Sequence, residues 1–103
     1  MHDFYLAKEI LDMVLRKAKK NNLKTVSRVV LSLGKFIGHN EKILPKNIKR
    51  NFYLLAKNTL ASKAVVIIKQ LDQSGVWRLE EIEGKWLFDK KTAEAVAVFF
   101  YFF

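Results

Sequence analysis

A chain of 103 residues, half of them hydrophobic and only one of them proline, is sized for one modest folded domain and is not a disordered tail. It has no cysteine, which excludes disulfides, cysteine-ligated iron–sulfur clusters and thiolate zinc sites within it. The net charge of +9 is uneven: residues 1–71 carry fifteen Lys/Arg against four Asp/Glu, a balance of +11, whereas residues 72–103 carry four against six, a balance of −2.

Met1-His2-Asp3 opens the chain. A histidine directly after the initiator methionine brings an α-amine, an amide nitrogen and an imidazole within reach of one metal ion. Such a nitrogen-rich, near-planar donor set suits Ni(II) or Cu(II) better than Mg(II) or Ca(II). Asp3 precedes a helical stripe made by Leu6, Ile10, Met13, Val14 and Ala18, widened by Ala7 and Leu11. Arg16, Lys17, Lys19 and Lys20 suit the negative end of the helix dipole, and Asn21-Asn22 stops the helix, which spans about Phe4 to Lys20.

Thr25 to Leu33 is rich in β-branched residues and alternates, which predicts a strand ended by Gly34. A loop from Lys35 to Leu44 follows, with Phe36 and Ile37 as apolar plugs and with His39, Asn40 and Glu41 at its polar part. Pro45 starts a second helix, with Ile48, Phe52 and Leu55 on its apolar face and Lys46, Lys49, Arg50 and Lys57 facing solvent. Asn58-Thr59 closes it. Ala64 to Leu71 predicts a second strand, apolar on both faces at its start. The expected fold is α+β, a small two-layer domain with a mixed or antiparallel sheet and both helices on one face. After Asp72 the composition shifts, and Gly75–Ile82 and Trp86–Asp89 look like a hairpin turning at Gly84, with Trp77 and Trp86 as a cross-strand aromatic pair or core cover, against a ligand-pocket lining. Lys90 to Ala95 fits a turn or short helix, and Val96–Phe103 is an uncharged aromatic tail suited to a strand.

These landmarks together resemble the HypA/HybF nickel-incorporation proteins, metallochaperones of hydrogenase and, in some organisms, urease maturation. The likeness runs through Met1-His2-Asp3, where the family has Met-His-Glu, then Leu6-Ala7, Ile10-Leu11 and Val29-Val30-Leu31-Ser32-Leu33-Gly34. Pro45, Ile48, Phe52, Leu54-Leu55, Lys57 and Thr59-Leu60-Ala61 resemble the family's second helix, and Ala64 to Ile68 its next strand. The resemblance implies nickel held by the Met1 amine, main-chain nitrogens and the His2 imidazole, with Asp3 contributing its backbone, and it requires that Met1 be retained. It also implies a GTPase maturation partner or a hydrogenase large subunit as recipient, and a cytoplasmic setting.

The sequence departs from that family in three ways. The family's zinc module, with its two Cys-x-x-Cys pairs, has no counterpart in a chain without cysteine, so no zinc is expected. The loop between Gly34 and Pro45 is about four residues longer. The body is strongly basic. Residues 1–72 are accordingly expected to form a nickel-binding-like domain, and residues 73–103 an aromatic, β-rich extension in place of the zinc domain, which can also serve a homodimer interface.

His39 and Glu41 are candidate auxiliary metal donors, against a plain solvent-exposed loop. Lys46, Lys49 and Arg50 are a candidate docking face for an acidic partner. Neither a nucleophile with a base nor a paired carboxylate stands out, so no enzyme is expected. No apolar run reaches the length of a membrane span. Nucleic-acid binding is the weakest alternative, because stacking aromatics are not interleaved with the basic residues. A divergent interaction or regulatory domain that keeps the fold without metal transfer is the stronger alternative.

Overall fold

The computed structural model describes residues 2–38, 41–86 and 96–100, with residues 37, 38, 41 and 96–100 in their backbone only. Helix α1 spans Asp3–Lys20, strand β1 Leu23–Lys35, strands β2 and β3 Ile37–Gly38 and Glu41–Lys42, helix α2 Pro45–Ala56, and strands β4, β5 and β6 Val65–Ser74, Trp77–Trp86 and Val96–Phe100. The fold is α+β, and its main sheet is mixed, in the order β4-β1-β5-β6. β1 runs parallel to β4 and antiparallel to β5, and β5 is antiparallel to β6. β2 and β3 form a separate two-stranded ribbon where the sequence reads as loop.

The helices form where the sequence pattern puts apolar residues on one stripe. α1 buries Leu6, Ala7, Ile10, Leu11, Val14 and Ala18, while α2 buries Ile48, Phe52 and Ala56. These meet Val26, Val29, Leu31 and Leu33 of β1, Val66 of β4, and Leu79 and Ile82 of β5 in one core. The opposite face of the sheet is mixed, with Val30 buried between Ile67 of β4 and Glu81 of β5 beside a polar cluster. There Arg28 pairs with Glu81 at 2.9 Å and Glu83 at 3.5 Å, and the Ser32 hydroxyl donates to Glu80 at 2.8 Å.

α1 ends as expected at Asn21-Asn22: Asn22 takes φ 58, and the Asn21 side-chain amide donates to the Lys17 carbonyl at 2.8 Å. Asparagine tolerates this left-handed conformation better than most residues. β1 extends beyond the expected Thr25–Leu33 at both ends, and it passes through Gly34 without stopping. Gly34 serves close approach instead of termination, because a Cβ there would collide with the Gln73 carbonyl and lie 2.9 Å from the Val76 carbonyl oxygen.

The expected hairpin at Gly84 is corrected. β5 runs unbroken through Gly84, which is buried and pairs with Val26 on one side and Ala97 on the other. A side chain at Gly84 would strike the Thr25 carbonyl. The sharp turn is at Gly75, with φ 69. That turn does not make an ordinary hairpin, because β4 and β5 lie on opposite sides of β1. The link straddles the end of β1 and is tied to it by two main-chain bonds: Gly34 N–H to the Val76 carbonyl at 2.7 Å and Gly75 N–H to the Lys35 carbonyl at 2.8 Å. Trp77 and Trp86 stand at the two ends of the same strand, opposite Leu33 and Leu23, so they are not a cross-strand pair.

Candidate metal-binding terminus

His2 is the N-cap of α1, in extended backbone geometry (φ −82, ψ 144), and its carbonyl accepts the first helical bond from Leu6 N–H at 3.0 Å. The helix begins here because Asp3 provides an acceptor for an otherwise orphaned first-turn donor: its Oδ1 takes the Phe4 N–H at 2.8 Å. The carboxylate also sits at the positive end of the helix dipole, where negative charge is favoured. The site is therefore carried on the N-terminal end of α1 and faces solvent, with the His2 side chain 53% exposed.

The imidazole is held on two sides. Its Nδ1 lies 3.1 Å from Asp3 Oδ1, a contact that makes Nδ1 the donor, since an ionised carboxylate only accepts. The Tyr5 ring meets it edge-on, with centroids 6.2 Å apart, and Tyr5 in turn meets Phe4 in the same way. Phe4 and Tyr5 are both exposed, so the terminus sits in an apolar surround open to solvent. Nδ1 is the ring nitrogen that closes a small chelate ring with its own residue's amide, so any ion bound that way displaces the Asp3 carboxylate from it.

The remaining candidate residues do not gather at this point among the described residues. Met1 and His39 lie outside them, and Glu41 is described only as the backbone of β3, opposite Gly38. No group of three or more His, Asp or Glu side chains that could hold a metal ion occurs among the described residues. Lys46 and Arg50 are exposed on α2 and Lys49 is half-buried; the Arg50 guanidinium donates to the Asn47 side chain at 3.1 Å. Among the described residues, no helix is long and apolar enough to cross a membrane. The aromatic flank of His2 has a signal in the sequence, since Phe4 and Tyr5 fall off the buried stripe of α1.

A family model described as hydrogenase/urease nickel incorporation, metallochaperone, matches residues 1–77. The chain belongs to the HypA family. Hydrogenase maturation factor HypA of Aquifex aeolicus is 30% identical over 69 residues, covering 67% of this chain and 56% of the relative. The protein of the same name from Pelodictyon phaeoclathratiforme is 32% identical over 75 residues, covering 73% and 61%. The chain thus spans a little over half the length of the curated HypA relatives it matches. The solution structure of the Ni metallochaperone HypA from Helicobacter pylori superposes with a TM-score of 0.58 at 16% identity, over 97% of this chain and 70% of that one. That likeness shows a shared fold, and it extends past the family match, which ends at the first residue of β5.

Proposed function

We propose that this HypA-family chain carries Ni(II) for hydrogenase or urease maturation, held by the Met1 amine, the main-chain nitrogens of His2 and Asp3, and His2 Nδ1. The observation that carries the reading is a family match beginning at residue 1 with an exposed histidine at the N-cap of α1. The ion is cargo, and the chain acts by binding and ligand exchange without catalysing a reaction. Its ligands must be deprotonated to bind, so loading releases protons and weakens as pH falls. His39 or Glu41 can complete the coordination as an auxiliary donor.

The same reading extends to setting and partners. A cytoplasmic GTPase or a hydrogenase large subunit receives the ion, and Lys46, Lys49 and Arg50 on α2 attract its acidic surface. Residues 73–103 take the place of the zinc module, with no zinc required, and provide the contact for a homodimer.

Isothermal titration with Ni(II) tests the site. One site is expected in the native chain, lost in His2→Ala and equally lost when a residue is added before Met1. Unchanged binding in both variants sinks the proposal, and a tenfold loss in His39→Ala would mark the auxiliary donor. The +11 balance of residues 1–71 favours one second reading, an interaction domain that keeps the fold without metal transfer. It predicts no Ni(II) heat in the native chain.

A further inference from the structure

The pole of the domain far from His2 carries two contiguous clefts. The first, about 450 Å³, is lined by Lys24, Lys63 and Lys85 together with Thr25, Ser27 and Ser62. The second, about 680 Å³, is walled by Leu15, Leu23 and Leu60, with Lys19 at its edge. Both clefts include Lys24, Thr59 and Leu60, so one ligand can occupy both. We propose that this paired cleft docks a segment of a partner protein in which several carboxylates flank a leucine-like side chain.

The lysines of the clefts come from separate parts of the chain. Lys19 belongs to α1, Lys24 to β1, Lys63 to the α2–β4 link and Lys85 to β5. Three separate elements and a link therefore deliver cations to one end of the molecule, all of them exposed. Among the described residues none of the four is in an ion pair: Glu83 and Glu81, near Lys85 on β5, are engaged by Arg28, and Asp12, the acid nearest Lys19 in sequence, pairs with Lys8. Convergent, unneutralised ammonium groups attract carboxylates and steer their approach.

The apolar half selects the kind of acid. A leucine-walled pocket beside a charged rim is the arrangement in which one buried aliphatic anchor supplies affinity and the rim supplies specificity. Among the described residues neither cleft is lined by an aromatic ring or a guanidinium, which disfavours nucleic acid, since single strands stack on rings. Lysines, as mobile point charges, fit carboxylates strung along a peptide. Lys19 lies sixteen positions along α1 from Asp3, about 24 Å at the helical rise, so the cleft is separate from the His2 terminus. The proposal does not rest on the nickel reading.

Fluorescence anisotropy with a labelled peptide, Asp-Glu-Leu-Glu-Asp, titrated with the full metal-free chain tests it. Saturable binding is expected, weakened about tenfold in the Lys24→Glu/Lys63→Glu variant and weakened again when the peptide's leucine is replaced by serine. Lys69→Glu, at an exposed position of β4 outside both clefts, should leave the affinity unchanged. Unaltered binding by a folded Lys24→Glu/Lys63→Glu variant overturns the proposal, as does indifference to the peptide's leucine. Tighter binding of a single-stranded oligonucleotide that expels the peptide overturns it too.

Discussion

At the scale of single residues, Asp3 does two opposed things. Its carboxylate supports the first turn of α1 by accepting the Phe4 N–H, and the same oxygen occupies His2 Nδ1. Asp3→Ala should therefore cost about 0.5–1 kcal/mol of stability, the usual worth of a charged first-turn acceptor. On the proposed nickel site it should also speed Ni(II) association, because the ring nitrogen no longer has to be released. Chemical denaturation checks the first effect and stopped-flow mixing the second; slower loading in Asp3→Ala would give the carboxylate a positive role in capture. His2 is legible as a candidate donor from its place in the chain alone. Its restraint by Asp3 and Tyr5 was not legible, since that depends on the backbone angle at the helix cap.

At the scale of elements, the two glycines of the C-terminal half separate two reasons for needing glycine. Gly84 is required by contact and Gly75 by conformation. Gly84→Ala should force β1 and β5 apart and cost about 2–3 kcal/mol, within the range of overpacked cores. Gly75→Ala has open space around it and should cost only about 1 kcal/mol for its left-handed φ. Urea melts of the two variants distinguish the cases. α1, α2 and the middles of β1 and β4 were legible because their apolar periods are long and regular. Glu83-Gly84-Lys85 misled because a polar glycine triplet in a strand has the composition of a turn; only the neighbouring Thr25 carbonyl reveals why the side chain is missing. In the core, Phe52 is fully buried on α2, so Phe52→Ala should cost about 3–5 kcal/mol in the same melts.

At the scale of the whole molecule, the compositional break at Asp72 falls inside β4, and β5 lies between β1 and β6. β5 contributes Leu79 and Ile82, neither exposed at all, to the core beneath α1. A chain ending at Asp72 should therefore lose cooperative thermal unfolding, which circular dichroism would show; a sharp two-state melt of that shortened chain would mean residues 73–103 are dispensable to the fold. The charge asymmetry belongs to this scale as well. The acids that lower the balance of the C-terminal part include Glu80, Glu81 and Glu83, which β5 sets against Arg28 and Ser32 on the open sheet face. The lysines at the far pole are left without such partners among the described residues.

The crossing at Gly75 gives the fold a seam. Both strands that the turn joins are anchored independently to β1, and the Gly75 tip points into open space. Extra chain spliced in there is free to bulge outward while the sheet stays registered, at about 0.6 kcal/mol for each doubling of loop length. Growth or loss of a whole module at that one position would leave the terminus that begins at His2, and the core behind it, where they are.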